Sequence, residues 1–391
     1  MLYSDRIQSV KPSATLTINA RAGELKAQGR DVISLAAGEP DFPPPPRVLE
    51  AAKQAIDSGF NSYTPVAGIP GLLEAIADYF YTFYNVSATK EMVVATNGGK
   101  QGLYNLFQIL LNPGDEVLIP GPYWVSYPDM VCLAGGSPVI VPAAPDNGFL
   151  LETGDLEAAL TPKSKVLILN SPSNPTGSHY TQARLDAILE WAFSRKLFVI
   201  SDEIYDQLIY PPARPASASP WLEKSQGRIA VVNGLSKSFA LTGWRIGYVL
   251  SHPGLIKNMI KIQGQSTSNI CSIAQKAALA ALTGSFDFLE AARRDLAGRR
   301  DKVLEIMGTW PGTACPKPDG AFYLFPRMDG LYSRAVPDST ALCTYLLENC
   351  GVALVPGAAF GDDRCLRFSY ALEEETLLRG VHKVGEALKK L

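Results

Sequence analysis

The sequence predicts an α/β protein. Its large domain is a seven-stranded, mostly parallel sheet between helices, and a smaller α+β domain is built from both termini. Three observations point there. Short apolar runs bounded by turn residues recur through the middle of the chain, without the alternation of a half-exposed strand; runs apolar on both faces suit strands buried between helix layers. Helical patterns fall between those runs. The composition supports a large core, because 47% of the 391 residues are hydrophobic and 19% are charged, the reverse of what disorder needs.

Residues 1–38 hold one helical stretch, about 19–28, then a strand-like run at 32–36. Prolines 43 to 46 mark a boundary. Seven apolar runs follow, at 92–95, 117–120, 138–141, 165–170, 197–201, 229–233 and 246–250. A helix is predicted over 100–111, stopped by Asn112-Pro-Gly, and another begins at Thr181 as N-cap and ends near Arg195. Beyond Ser285 the pattern changes to a long amphipathic helix at 286–307, then strands at 320–325 and 366–369. The domain reading is therefore 1–44 and 286–391 for the small domain and 45–285 for the large one.

Several function classes are disfavoured. The formal net charge of −2 supplies no basic field for nucleic acid or an acidic membrane. No apolar run approaches the roughly 18 residues of a membrane span, and the N-terminus lacks a signal-peptide core. The six cysteines form no C-x-x-C pair and sit mostly in apolar segments, which predicts buried, reduced thiols in a cytoplasmic protein. His179, His252 and His382 are far apart without metal-ligand spacing, so no metal site is expected. No G-x-S-x-G turn is present. The chemistry must come from Lys, Asp, Tyr, Arg or a bound cofactor.

Five polar segments lie at or just after predicted strand ends, where open α/β sheets bind ligands. In TNGGKQG (96–102), Gly98, Gly99 and Lys100 open a helix; the segment is either an anion-binding helix start or a simple tight turn. In NSPSNPTG (170–177), Asn174 either fixes a turn or presents its amide to a site, and the Asn174–Pro175 bond is a cis candidate. In SDEIY (201–205), Asp202 ends an apolar strand. That position costs energy unless the carboxylate caps the next helix or meets a cation, and Tyr205 lies one helical turn away. In NGLSKSFALTGWRIG (233–247), Lys237 stands in a stretch with no other charge before Arg245. It is either a surface lysine or a desolvated one, whose lowered pKa makes it a nucleophile for carbonyls. Arg245 would suit a phosphate dianion. In LRFSY (366–370), Arg367 either pairs with a local acid or grips a substrate carboxylate with two hydrogen bonds.

Taken in order with KPSAT, AAGEPDF, YTPVAGIPGL, PYWVSYPDMV, GAFY and VPGAAFG, these segments resemble the fold-type I, class I/II pyridoxal-phosphate (PLP) aminotransferases along essentially the whole chain. The nearest likeness is to bacterial aspartate aminotransferases, including those that also act on prephenate. The resemblance implies PLP as cofactor, carried by Lys237 as a Schiff base, with Asp202 against the ring nitrogen. It implies Tyr205 and Asn174 on the ring oxygen and Trp124 on the ring face, with Gly98, Gly99, Lys100 and Arg245 at the phosphate. Tyr63 would reach the phosphate of a partner subunit, which makes a homodimer with shared sites. Arg367, with the Gly38 backbone, would bind the substrate α-carboxylate, and Lys100, Ser13 and Thr15 the distal carboxylate of a dicarboxylic substrate. Many relatives carry a phosphate-binding serine where this chain has Gly234, and Ser236 is the compensating candidate.

The implied activity is transfer of an amino group from an amino acid, aspartate first, to a 2-oxo acid such as 2-oxoglutarate. One site serving both substrates gives ping-pong kinetics. Aromatic amino acids, prephenate or alanine are the alternative substrates, and a C–S β-lyase is the alternative reaction on this cofactor. Two further classes compete: a non-catalytic regulator, for which no DNA-binding segment is spare, and a nucleotide-binding enzyme using the glycine loop.

Overall fold

The computed structural model describes residues 4–8, 10 and 14–391. Strand β1 (Ile33–Ser34) pairs in parallel with β10 (Val352–Ala353). The large sheet contains β2 (Val93–Asn97), β3 (Glu116–Gly121), β4 (Ser137–Pro142), β5 (Ser164–Asn170), β6 (Phe198–Asp202), β7 (Ile229–Gly234) and β8 (Ile246–Ser251). Its order is β2-β8-β7-β6-β5-β3-β4. Only β8 runs antiparallel to its neighbours, β2 and β7. All seven apolar runs are strands of this one sheet. Every residue of β7 and β8 is buried, as strands covered on both faces should be, whereas the edge strand β4 is half exposed.

The helix ends follow their local signals. Gly99–Leu110 runs up to the Asn112-Pro-Gly stop. Gln182–Ser194 starts where the Thr181 side chain accepts the Arg184 N–H, and Arg195 closes it. Phe288–Met307 is the long amphipathic helix. No helix among the described residues is long and apolar enough to cross a membrane.

A second core lies beside the sheet. It joins Ile33 and Leu35 to Leu296, Phe322, Leu366 and Val381, and it takes in Tyr205 and Leu208 from just beyond β6. Its sheet has the order β11-β12-β9, with β9 (Tyr323–Leu324), β11 (Val355–Pro356) and β12 (Leu366–Ser369). Here the strands are shorter than their apolar runs. The 320–325 run yields two residues because Pro326 follows it and has no N–H for a ladder. The 32–36 run yields two residues, although the Leu35 N–H also reaches the Ala353 carbonyl and the Leu35 carbonyl accepts the Ser369 N–H.

Two expectations need correction. All six cysteines are free, but only Cys343 and Cys365 are buried; Cys271 is exposed at the N-cap of Ser272–Leu282. An apolar neighbourhood in sequence does not say which face a residue takes. The Asn174–Pro175 bond is not cis; the cis bond of that loop is Ser171–Pro172.

Candidate active site

Parallel pairing brings strand ends side by side. Asn170, last in β5, stands in register with Asp202, last in β6. Strand β7 ends at Gly234 and passes into the loop of Ser236 and Lys237. These ends open on a cavity of about 650 Å³, where Gly99, Lys100 and Trp124 line one wall, Asp202, Tyr205 and Lys237 the floor, and Gly38, Asn174 and Arg367 the far side. Ser236 and Arg245 also reach it. A neighbouring cavity of about 800 Å³ shares Lys100 and Arg245 but holds none of the floor residues.

The Lys237 amine donates to the Gly38 carbonyl at 2.5 Å. Burial pushes its pKa down to about 8, with Glu39 pulling the other way and Arg367 adding to the depression. A lysine so placed has an appreciable free-amine fraction near neutrality. Asp202 is also buried. Its carboxylate accepts the Tyr127 hydroxyl at 2.7 Å and the Ile204 N–H at 3.2 Å. The Asn170 amide donates to the Asp202 backbone carbonyl at 3.0 Å. Burial still pushes the Asp202 carboxyl up to about 6, against the pull of these bonds and of Lys237. A cation placed against it would favour the ionised form.

At the opposite end, Gly98 has φ +76° immediately before helix Gly99–Leu110. A Cβ on Gly98 would collide with the Arg245 guanidinium, and one on Gly247 with the Gly98–Gly99 backbone, so the loop lies directly on β8. Among the described residues Arg245 bonds carbonyls alone, Thr242 at 2.9 Å and Asn97 at 3.4 Å. The Lys100 ammonium lies 4.8 Å from the Trp124 ring centroid, and burial followed by Arg245 lowers its pKa. Two cations at a helix N-terminus form a place for an anion. At Gly234 a Cβ would stand 2.7 Å from the Ile246 carbonyl oxygen, so a serine does not fit there, and Ser236 is the serine that lines the cavity.

Arg367 is buried on β12. It donates to the Asn174 side-chain oxygen at 2.9 Å and to the Ala36 carbonyl at 2.7 Å, while its Nε has no partner among the described residues. The bond to its oxygen leaves the Asn174 amide nitrogen for the cavity. The guanidinium lies 4.6 Å from the Tyr323 ring centroid and 5.0 Å from that of Phe360. A buried cation bonded only to neutral oxygens is arranged for an incoming carboxylate.

The family model for aminotransferases of class I and II matches residues 30–384. The chain belongs to that family. It is 47% identical over 384 residues to the aspartate/prephenate aminotransferase of Cereibacter sphaeroides, covering 96% of this chain and 95% of that one. It is 43% identical to the aspartate aminotransferase of Geobacillus stearothermophilus, covering 99% and 100%. Among solved structures it is similar to the Thermus thermophilus aspartate aminotransferase with maleate, at a TM-score of 0.94 and 42% identity over 99% of this chain and 100% of that one. The protein is thus a transaminase of fold type I, which moves an amino group from an amino acid to a 2-oxo acid.

Most of the singled-out residues of this aminotransferase meet at one cavity. Gly98 lies just behind its wall, and Tyr63 lies outside it, 92% exposed. Ser13 and the side chain of Thr15 fall outside the described residues. Sequence reasoning missed Tyr127, Asn170, Tyr323 and Glu39, which also line the cavity. Tyr127 carried a usable signal, three positions after Trp124 in PYWVSYPDMV. Asn170 carried another, as the polar last residue of a buried strand.

Proposed function

We propose that this aminotransferase uses pyridoxal 5′-phosphate and takes aspartate as donor with 2-oxoglutarate as acceptor. One juxtaposition carries the reading: a buried amine and a buried carboxylate share a cavity whose two ends hold Lys100 with Arg245 and Arg367, none of them in an ion pair among the described residues. That donor set fits the cofactor. Lys237 would hold it covalently and Asp202 would face its ring nitrogen. Tyr205 and Asn174 would serve its ring oxygen, and Trp124 its face. Gly98, Gly99, Lys100, Ser236 and Arg245 would serve its phosphate. When bound, it supplies an electron sink for charge developing at the substrate Cα.

The chain does the rest. Arg367 and Asn174 hold the α-carboxylate, with Gly38 close by, and fix which bond at Cα faces Lys237. The Lys237 amine, freed when the substrate amine takes its place and with its pKa depressed by burial, would carry the proton from the substrate Cα to the cofactor's C4′ carbon. Asp202 stays ionised against a cation and so holds that cation protonated.

Lys100 supports the choice of a dicarboxylate. A lysine in the first helical turn opposes the helix dipole unless it meets an anion. Arg245 and backbone donors would serve the phosphate without it, so Lys100, beside that phosphate, can also meet a distal carboxylate together with Ser13 and Thr15. Lys100→Ala should lower kcat/KM for aspartate and glutamate roughly 10- to 150-fold and change alanine or phenylalanine much less. Prephenate, which also bears two carboxylates, belongs in the same panel as acceptor. An equal fall for every donor would assign Lys100 to the phosphate alone and remove the dicarboxylate reading.

The exposed Tyr63 supports a homodimer with shared sites, Tyr63 serving the partner's phosphate. Mixing inactive Lys237→Ala with weakened Tyr63→Phe subunits should restore activity by forming one intact site per heterodimer. No recovery after verified exchange would reject sharing. The core that joins Ile33 and Leu35 to Leu296, Phe322, Leu366 and Val381 supports a small domain of 1–44 and 286–391 beside a large domain of 45–285; coincident unfolding of both by calorimetry would count against separate units. The free thiols support a cytoplasmic setting, which cell fractionation would check.

A further inference from the structure

Tyr323 touches both ends of the site. Its hydroxyl lies 2.9 Å from the Tyr205 hydroxyl, and the two rings meet edge to face with centroids 5.8 Å apart. Both side chains are buried. Its ring face carries the Arg367 guanidinium, 4.6 Å from the centroid. The same hydroxyl lies 3.1 Å from where a Cβ on Gly38 would stand, a tight approach that would push the oxygen aside by a few tenths of an ångström.

Each hydroxyl has one proton to give, so the pair has two arrangements. If Tyr205 donates to Tyr323, Tyr205 presents only lone pairs to the cavity. If Tyr323 donates, the Tyr205 proton is left for a ligand oxygen. The electrostatics favour the second arrangement. A guanidinium against the Tyr323 ring stabilises negative charge on its oxygen and so makes it the stronger donor. Burial raises both hydroxyls and Arg367 opposes the rise at both, and the rise is the greater at Tyr205. The other charged groups around the pair are Asp202, Glu39 and Lys237, which line the same cavity.

We propose that Tyr323 is a positioning residue with two separable functions: its hydroxyl donates to Tyr205 and turns the Tyr205 proton toward the cofactor's ring oxygen, and its ring face holds the Arg367 guanidinium ready for a substrate carboxylate. The hydroxyl function rests on the cofactor reading given above. The ring function requires only that Arg367 binds a carboxylate. Chained hydrogen bonds strengthen one another, so losing the Tyr323 donor weakens the bond that Tyr205 makes.

The test compares wild type, Tyr323→Phe and Tyr323→Leu, each loaded with pyridoxal 5′-phosphate. Two quantities are read: the pH midpoint of the visible absorbance, and KM for aspartate and 2-oxoglutarate. Tyr323→Phe keeps the ring and loses the proton. A weaker bond from Tyr205 leaves more negative charge on the ring oxygen, which holds the neighbouring nitrogen's proton more tightly. The midpoint should rise by about half a pH unit, with KM within about twofold of wild type. Tyr323→Leu, or Tyr323→Met should the first not fold, loses ring and proton, and should add a KM increase of roughly tenfold. A midpoint unchanged or lowered in Tyr323→Phe overturns the hydroxyl function. A KM in the ring-less variant equal to that of Tyr323→Phe overturns the ring function. A wild type that gains no visible absorbance on loading fails the cofactor reading itself, and the hydroxyl function with it.

Discussion

The Asp202 end of the cavity hangs from the seven-stranded sheet, whereas its Arg367 end is carried by β1, β9 and β12, of two, two and four residues. Asp202 and Asn170 are placed by ladder register, the most local of constraints once the strands pair. Arg367 and Tyr323 are placed by contacts between distant segments: Arg367 with Asn174 and Ala36, Tyr323 with Tyr205. The difference teaches a division of labour. The sheet sets Asp202 in the charged floor by strand register, and the small core holds Arg367 as a clamp through contacts between distant segments. Damage to the first should appear in kcat and damage to the second mainly in KM.

The largest separation is expected at Asp202. Asp202→Asn removes the buried carboxylate that, in the proposed function, would face the ring nitrogen, but keeps its shape and the Asn170 contact. We expect kcat to fall roughly 10²- to 10³-fold, with the Kd of maleate, a dicarboxylate analogue, nearly unchanged. A comparable loss of maleate affinity would mean that the floor and the clamp are one unit.

A smaller effect is expected at the clamp. Arg367→Lys keeps the charge but loses the fork that bonds a carboxylate twice and the flat face that stacks on Tyr323. KM for aspartate and 2-oxoglutarate should rise roughly 10- to 100-fold, while kcat falls less than tenfold. A fall confined to kcat would break the comparison from the other side.

The same contrast governs what was legible in the sequence. The strands β2 to β8 were readable because burial on both faces leaves an apolar run in local sequence, and the polar residues at their ends then stood out. Lys237, Asp202 and Asn174 belong to this class. Tyr323 does not, because its partner Tyr205 lies 118 positions away and nothing in GAFY states what stands opposite. Tyr127 escaped for a similar reason, since its bond to Asp202 depends on a helix packing across the sheet edge. The short strands were overdrawn because an apolar run reports burial, and burial in the second core comes from packing as much as from ladders. Cys271 was placed inside on the same reasoning and lies at an exposed helix start.

The central claim is that Lys237 is the amine on which the chemistry turns. Pyridoxal 5′-phosphate bound to the wild-type protein should be reduced by borohydride into a stable adduct, and peptide mapping should find it on the fragment containing Lys237. The Lys237→Ala protein should take no adduct and lose at least about 10⁴-fold in turnover while keeping its fold. An adduct on Lys100 or any other lysine, or turnover that survives Lys237→Ala, would contradict the account.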